Sequence, residues 1–213
     1  MNKSNQELAI LGGTPVRTKK MPGRKQFDEE VKKAVDAVFE HAWTIDKDPG
    51  YREKYYHEYR DSFEQFQGGG YAHMLSSGSN AILIAILALQ LPAGSEVLVS
   101  PVTDPGAISA VILANMVPVV VDSEVGSYNS SAETIEPAIT SNTRAILLTH
   151  LGGIPSELHP IIRLAQKCSL RVIEDCSQAH GAKYHQKKVG TFGDIAVFST
   201  MFSKNHSSGG CGG

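Results

Sequence analysis

The sequence predicts an α/β protein with a mostly parallel sheet flanked by helices. Between residues 71 and 199, short apolar runs alternate with longer segments of helical periodicity, and glycine, proline or small polar residues separate them. The apolar runs, such as EVLV at 96–99 and AILLT at 145–149, are continuous and do not alternate with polar residues. Continuous runs are typical of parallel strands covered on both faces, so right-handed βαβ crossovers should connect them.

The composition is that of an ordinary globular protein, and it excludes several function classes. The chain has 213 residues, of which 41% are hydrophobic and 20% charged, and its net charge is −2. This balance gives no electrostatic basis for binding nucleic acid. The longest apolar run, at 81–89, is too short to cross a membrane, and the N-terminus lacks a signal-peptide core. Three cysteines without a CxxC spacing favour reduced thiols. A soluble cytoplasmic protein is therefore expected.

Two helices are predicted before the regular alternation begins. Irregular structure is predicted for residues 1–26, because glycine and proline interrupt any helical or strand periodicity of the apolar residues. Asp28 is a candidate N-cap for a helix that runs to about Phe39, and a loop is expected at 43–50. A second helix is predicted at 52–66, ended by the three glycines at 68–70. We therefore treat 1–70 as an N-terminal helical segment and 71–213 as the α/β region.

From Tyr71 onward the predicted strands and helices follow one another in turn. Strands are expected at 71–75, 96–100, 117–122, 144–150, 170–175 and 195–199. Helices are expected at 81–89, 106–114, 133–140 and 157–168, with Ser131 and Ser156 as start signals, and a polar hairpin is expected at 183–188. In such sheets ligands bind at the carboxyl ends of the strands, so the residues at those ends are the candidate site.

Polar groups follow four of these strand ends. The segment SSGSN at 76–80 opens a helix, and it is either a phosphate cradle or a plain serine cap. Asp175 ends a buried strand, where it could hold a proton on a ring nitrogen, bind a metal or cap a loop. His150 follows another strand. Ser199 ends the last one, five residues before Lys204.

Lys204 is the candidate nucleophile of the chain. A lysine just past a buried strand can be desolvated, which lowers its pKa and frees the amine to attack carbonyls. On its own, a solvated loop lysine explains the residue better. Pyridoxal 5'-phosphate requires a phosphate cradle, a buried aspartate, a hydroxyl and a lysine together. Because the sequence offers all four, the nucleophilic interpretation of Lys204 is favoured over a solvated loop lysine.

The sequence resembles the DegT/DnrJ/StrS family of sugar aminotransferases, which have the aspartate aminotransferase fold. The match is most specific at 150–199, HLGGIPSELHPIIRLAQKCSLRVIEDCSQAHGAKYHQKKVGTFGDIAVFS, which follows the family run VIEDAAQAHGA…VGSFGD almost position by position. LAILGGTPVR near the N-terminus and SSGSNA fit more loosely. The resemblance implies a large domain of the pyridoxal-phosphate transferase fold, type I.

The resemblance also implies roles for single residues. Lys204 would form the Schiff base with the cofactor and then move a proton, and Asp175 would pair with the pyridine nitrogen. Gln178 would lie against the ring. Ser199 would hold the phosphate together with the backbone around Ser79 and Asn80. His150 and His180 would be structural supports, and no metal ligands are implied.

Three departures from the family pattern stand out. The segment VTDPG at 102–106 has Asp104 near the position of an aromatic residue that stacks on the cofactor, so Asp104 would face the substrate or cofactor instead. The lysine segment KNHSSGGCGG differs from the commoner KNITTGEGG. Family members also continue past this turn into a C-terminal small domain, which would make the large domain incomplete here and could leave this chain inactive alone.

The resemblance implies a homodimer that transfers an amino group from glutamate or glutamine to a keto-sugar or keto-cyclitol, which is commonly nucleotide-linked in the family. Two alternatives stay open. One is a dehydratase, although those relatives replace the lysine with histidine; the other is a non-catalytic regulatory or binding relative. A Rossmann nucleotide-binding enzyme is disfavoured because no G-x-G-x-x-G follows any strand.

Overall fold

The computed structural model describes residues 8–20, 23 and 27–213. The chain divides into two compact units, Met1–Asp48 and Pro49–Gly213. The irregular segment predicted at 1–26 lies partly outside the described residues. Its described part contains one short 3-10 helix, Ala9–Leu11.

The first unit contains one long helix, α1 (Glu29–Ile45). Asp28 caps it as predicted, because its Oδ1 accepts the N–H groups of Glu30 and Val31, both at 3.0 Å. The predicted end near residue 39 and the predicted loop from 43 are wrong. The next glycine or proline after residue 39 is Pro49, so nothing breaks the helix until Asp46, whose φ of 51° ends it.

The second unit is built on a five-stranded sheet in which all neighbouring strands are parallel. Its strands are β1 (Glu96–Val99), β2 (Val117–Val120), β3 (Thr143–Thr149), β4 (Arg171–Asp175) and β7 (Ile195–Val197). Their order in space is β2-β1-β3-β4-β7. The predicted polar hairpin is confirmed as a separate antiparallel pair, β5 (Lys183–Tyr184) and β6 (Lys187–Lys188).

Both faces of this sheet are covered, as the continuous apolar strands predicted. Side chains that point to opposite faces of a strand alternate along it. Val97 and Leu147 therefore pack in one core cluster with α3 (Gly78–Ala88) and α4 (Pro105–Leu113). Leu98 and Leu148 pack in a second cluster with α5 (Ala132–Ile135) and α6 (Leu158–Lys167).

The remaining helix boundaries differ modestly from prediction. α2 spans Lys54–Gln67, and Gly68 ends it in the left-handed region with a φ of 100°. The helix predicted at 133–140 stops after four residues at Ile135, and a 3-10 turn, Glu136–Ala138, follows. Pro137 lies in that turn and cannot donate a helical hydrogen bond. Ser156 is not the cap of α6, because Glu157 occupies the N-cap position and the Ser156 hydroxyl accepts no N–H of the described helix.

The strand predicted at 71–75 is not formed. Only Leu75 makes strand-like bonds there, donating to Gly213 O at 2.7 Å and accepting from Gly213 N at 3.1 Å. The N–H of Ala72 instead donates to the Glu64 side chain. A single bonded pair does not make a ladder, so the segment remains extended but irregular. Within the described part of the chain, no helix is both long and apolar enough to span a membrane.

Candidate active site

One cavity at the carboxyl end of the sheet collects six of the seven site residues that the sequence predicts. It has a volume of about 110 Å³ and opens beside the exposed residues Asp104 and Cys211. The six are Lys204, Asp175, Gln178, Ser199, Ser79 and Asp104. A larger groove of about 580 Å³ borders residues 69–75 and β7 but contains none of the seven. The chemistry therefore identifies the smaller cavity as the candidate site.

Asp175 is the buried acid of the cavity, with a side chain that is 3% exposed. The strand register fixes its position, because Asp175 ends β4 between Thr149 of β3 and Val197 of β7. Its Oδ1 accepts the Ser177 N–H at 3.0 Å. Burial raises the pKa of Asp175, while the Ser177 hydrogen bonds and the positive charge of Lys204 act against that rise. A buried carboxylate of this kind is set up to pair with a cation or a protonated ring nitrogen.

Lys204 lies on a loop that is closed by a small backbone hairpin. Thr200 N–H donates to Gly212 O and Phe202 N–H to Gly210 O, both at 2.8 Å. Ser208 reinforces the closure, because its N–H and its hydroxyl both donate to Thr200 O, at 2.9 and 3.0 Å. The loop therefore returns Lys204 to the cavity that contains Asp175. The backbone N–H of Lys204 donates to Met201 O at 2.9 Å.

The N-terminus of α3 forms another wall of the cavity. Ser77 is its N-cap, and the Ser77 hydroxyl accepts the Asn80 N–H at 3.1 Å. Among the described residues, no acceptor within hydrogen-bond distance is found for the N–H groups of Gly78 and Ser79. Ser199 packs directly against this turn. Two unpaired amides and a hydroxyl at a helix N-terminus are suited to an anion such as phosphate.

The close approach of this turn to Ser199 requires glycine at position 78. A Cβ added to Gly78 would lie 2.6 Å from Ser199 Cβ and 3.1 Å from its Oγ. We expect Gly78→Ala to push the two segments apart and to lower the free energy of unfolding by about 1–3 kcal/mol. Urea denaturation measures this, with Gly210→Ala as the control, because a Cβ at Gly210 would meet nothing within 4 Å. Equal stability of the two variants would contradict the proposed packing.

Three predicted residues make hydrogen bonds that the sequence did not foresee. Asn80 is exposed and outside the cavity, and its Nδ2 donates to Ser76 Oγ at 2.7 Å. Asp104 caps α4, where its Oδ1 accepts the Gly106 N–H at 2.9 Å. Gln178 Oε1 accepts the Gly152 N–H at 2.9 Å. Only Asn80 is thus separated from the other predicted residues.

Directly behind Asp175 lies a buried network centred on Glu174, to which the sequence analysis assigned no role. Glu174 Oε1 accepts the N–H groups of Phe192 and Gly193, and Oε2 accepts that of Gly190, all at 2.7 Å. His150 Nε2 lies 3.1 Å from Oε2. Burial alone would raise the pKa of Glu174, but the bonds from His150 and the three amides outweigh burial and lower it.

The same network accounts for His150 and Cys176. His150 Nδ1 accepts the Ser156 N–H, so the hydrogen of a neutral ring lies on Nε2, facing Glu174. The Cys176 sulfur lies within 4.8 Å of the facing His150 and Glu174 atoms. Burial raises the pKa of the Cys176 thiol well above its usual value, with the nearby carboxylates adding to the rise. His150 and Glu174 bond to each other and to backbone N–H groups, and the raised pKa favours the protonated thiol, which is the pattern expected of a structural support.

His180 adjoins the lysine loop, and both its ring nitrogens are buried without a hydrogen-bond partner among the described residues. Burial lowers the pKa of His180 to about 4, with contributions from His206 and Lys204. As the pH falls, His180 in the unfolded chain becomes protonated near its usual pKa of 6.5, whereas His180 in the folded chain becomes protonated only near pH 4. The contribution of His180 to the free energy of unfolding is therefore fully present above pH 6.5 and is lost as the pH falls towards 4.

We expect the low pKa of His180 to produce a pH-dependent stability difference between the unmodified chain and the His180→Phe variant. From pH 7 to pH 5 the unmodified chain should lose about 1 kcal/mol more unfolding free energy than His180→Phe, after allowance for solvent screening of a partly exposed ring. Urea denaturation at the two pH values measures the difference. Parallel losses in the two proteins would show that His180 does not stay neutral in the folded chain.

Sequence reasoning missed several residues that line the cavity. Ser77, Ser177, Met201 and Cys211 all do so. Ser77 and Ser177 lie within motifs already identified, so the helix-cap signal and the turn after Asp175 could have indicated them. Cys211 was assigned no role beyond that of a small residue in a turn. Its place in the wall depends on the hairpin that closes the lysine loop, which no local pattern encodes.

Comparison with known proteins places this chain in one family. A sequence model of the DegT/DnrJ/EryC1/StrS aminotransferase family matches residues 25–213. The chain is 35% identical over 178 residues to GDP-perosamine synthase of Escherichia coli O157:H7, covering 84% of this chain and 48% of that protein. It is 32% identical over 206 residues to L-glutamine:2-deoxy-scyllo-inosose aminotransferase of Micromonospora echinospora, covering 95% and 48%.

A solved structure agrees with these matches. E. coli GDP-4-keto-6-deoxy-D-mannose-3-dehydratase with bound hydrated PLP superposes with a TM-score of 0.81 at 27% identity, covering 89% of this chain and 49% of that one. The chain thus spans about half the length of the relatives it matches. The family match confirms the resemblance noted in the sequence and the predicted α/β transferase fold. The chain belongs to the DegT/DnrJ/EryC1/StrS aminotransferase family.

Proposed function

We propose that the chain is the cofactor-binding part of a pyridoxal-phosphate-dependent aminotransferase. The observation that carries the proposal is the single cavity shared by Lys204, Asp175, Ser199 and the N-terminus of α3. These are a nucleophilic amine, a buried acid and an anion site, the three elements that the cofactor requires. The relative named L-glutamine:2-deoxy-scyllo-inosose aminotransferase supports the reaction class, as does the match to the aminotransferase family.

The residues present fit the cofactor at its phosphate and at its ring nitrogen. Ser199 and the amides of Gly78 and Ser79 would hold the phosphate, because the helix N-terminus attracts an anion. Asp175 would bind the protonated ring nitrogen and hold its proton, since the charge pair relieves the cost of burying the carboxylate. Gln178 and Asp104 lie on the cavity wall, where they would face the ring and the substrate.

Lys204 would have two tasks. Its amine would attach the cofactor covalently and, once released, would carry a proton between substrate and cofactor. When bound, pyridoxal phosphate supplies an electrophilic carbonyl and a ring that accepts electrons from the substrate carbon.

We propose glutamate or glutamine as the amino donor and a keto-sugar or keto-cyclitol, in many cases nucleotide-linked, as the acceptor. The named relatives support this choice, since one is an L-glutamine:2-deoxy-scyllo-inosose aminotransferase. A dehydratase is the second candidate, since such an enzyme is a structural neighbour. Lys204 favours the aminotransferase, because the family resemblance implies a histidine in place of this lysine in dehydratases.

Amino-group transfer from the donor tests the proposal. The chain, saturated with pyridoxal phosphate, is mixed with glutamate or glutamine, and the keto-acid product and pyridoxamine phosphate are quantified. Stoichiometric formation of both, absent in Lys204→Ala, is expected. A chain that binds the cofactor through Lys204 but releases no keto acid would instead be a non-catalytic binding relative.

We further propose that the chain works as a cytoplasmic homodimer. Within the Pro49–Gly213 unit, several large apolar side chains are 46–70% exposed, which is consistent with a surface that a second copy covers. The exposed group comprises Ile84, Leu87, Ile112 and Leu113. The three unpaired cysteines are consistent with a reducing compartment. Light scattering after size-exclusion chromatography, with and without cofactor, distinguishes a dimer from a monomer.

A further inference from the structure

Five aromatic and imidazole rings form a closed circuit of contacts beside the candidate site. In order around the circuit they are Tyr59, Phe63, Phe198, His180 and His206. Successive ring centroids are 6.2, 5.0, 5.4 and 5.8 Å apart, and 5.8 Å separates His206 from Tyr59. We call this group the aromatic circuit. Such separations lie within the range of favourable ring–ring contacts.

The aromatic circuit joins the segments that carry the site residues. Phe198 immediately precedes Ser199, and His180 lies five residues after Asp175. His206 lies two residues after Lys204 on the same loop. Tyr59 and Phe63 belong to α2 and lie on one face, four residues apart. Through these rings α2 contacts the segments of Lys204 and Ser199 directly. It reaches the segment of Asp175 only through His180, which contacts Phe198 and His206.

The contact between Tyr59 and His206 differs from the others. Tyr59 Oη lies 2.9 Å from His206 Nε2, within hydrogen-bond distance, and the two rings are stacked with an interplanar angle of 5°. The isoleucine of the commoner KNITTGEGG motif could pack at position 206 but could not make this hydrogen bond. The pairing is thus a feature of this chain's own sequence, and it ties the lysine loop to a helix 147 residues away in the sequence.

We propose that His206 is a positioning residue for Lys204, and that Tyr59 holds it against α2. This inference rests on the proposed role of Lys204 as the cofactor's attachment point. The hairpin that closes the loop bonds its two ends, Thr200–Phe202 and Ser208–Gly212, and the Lys204 N–H donates to Met201 O between them. The Tyr59–His206 contact adds a side-chain link between this loop and α2. His180, which burial keeps neutral, adds no positive charge beside the lysine.

Hydrogen exchange of the chain without cofactor provides the first test. Tyr59→Phe removes only the hydroxyl and keeps the ring, and His206→Ile removes the bond and the imidazole. Each is expected to speed amide exchange of the peptide covering 203–208 roughly three- to fivefold, because one partly exposed hydrogen bond is lost. Tyr56→Phe is the matched control, since it breaks a similar bond from α2 to His73 at 2.8 Å, away from the lysine loop.

The second test measures the rate at which pyridoxal phosphate becomes attached to Lys204, trapped with borohydride at timed intervals and located by mass spectrometry. Both variants should slow this attachment roughly three- to fivefold, and the double variant should be no slower than His206→Ile alone. Tyr56→Phe should match the unmodified chain, and the urea midpoints of Tyr59→Phe and Tyr56→Phe should agree.

Three results would overturn the inference in distinguishable ways. Normal attachment rates and normal exchange in Tyr59→Phe and His206→Ile, with attachment still confined to Lys204, would refute the positioning role alone. Absence of attachment at Lys204 in the unmodified chain would refute the proposed function and the inference together. Slowed exchange or attachment that tracks a loss of global stability would assign the circuit to folding and not to positioning.

Discussion

Lys204→Ala is expected to abolish covalent attachment of pyridoxal phosphate to the site. Among the described residues, Lys204 is the one lysine that lines the cavity, and the buried Asp175 lines it too. Alanine removes the primary amine there, which is the group that condenses with the cofactor's carbonyl with loss of water. The visible absorbance that accompanies attachment should disappear at every cofactor concentration, while phosphate-dependent binding should weaken only partly, because Ser199 and the α3 amides remain.

Two control variants sharpen this prediction. Lys204→Arg retains a positive charge but is never deprotonated in proteins, so it should also fail to attach the cofactor. Lys183→Ala changes an exposed lysine of the β5–β6 hairpin and should leave attachment unchanged. Visible absorbance that persists in Lys204→Ala and falls in Lys183→Ala would mean that the cofactor reacts with surface amines.

Glu174→Gln is expected to lower the free energy of unfolding by about 3 kcal/mol. The carboxylate accepts three backbone N–H groups and lies against His150, all in a fully buried position. Glutamine turns one acceptor oxygen into a donor, which then opposes another buried donor. Urea denaturation at neutral pH measures the loss. Glu136→Gln is the control, because its ion pair with Lys167 is exposed, and it should change stability by no more than about 0.5 kcal/mol.

The direction of the Glu174 pKa shift gives this prediction a pH dependence. A carboxyl group whose pKa is lowered by folding stabilises the protein above its usual pKa, and that contribution is lost as the pH falls through the lowered value. The stability gap between the unmodified chain and Glu174→Gln should therefore shrink in acid. A gap that is unchanged from neutral to strongly acidic pH would indicate that Glu174 is not ionised in the folded chain.

The alternation of strands and helices made the parallel sheet predictable, but not the state of the segment at 71–75. That segment has the apolar residues of a strand, yet a strand forms only where a neighbouring strand supplies a ladder. Here only Gly213 pairs with Leu75. Pairing across 138 positions depends on tertiary structure, and local pattern carries no information about it.

The two adjacent acids show which part of the site could be predicted. Glu174 and Asp175 are consecutive in a strand, so their side chains must point to opposite faces. The sequence analysis assigned a role only to Asp175, although this alternation already implied that Glu174 needs separate partners. Those partners, the amides of residues 190–193, come from the loop before β7. That loop could not be placed without the fold.

Asp104 shows the converse case, in which a local signal was available and was not used. An aspartate followed by Pro105 is typical of a helix N-cap with proline at the first helical position. Asp104 caps α4 in this way while also lining the cavity. The family resemblance implies that Asp104 faces a ligand, and this role is part of the proposed function. The capping bond explains why the carboxylate is held at the cavity's edge.

The measurement that tests the central claim most directly is the location of the trapped cofactor on the chain. The protein is incubated with a slight excess of pyridoxal phosphate, reduced with borohydride, digested and examined by mass spectrometry. We predict one phosphopyridoxyl group per chain, on Lys204, with none there in Lys204→Ala. Modification spread over the exposed lysines, with Lys204 no more reactive than Lys183 or Lys187, would contradict the assignment of this cavity as a pyridoxal-phosphate site.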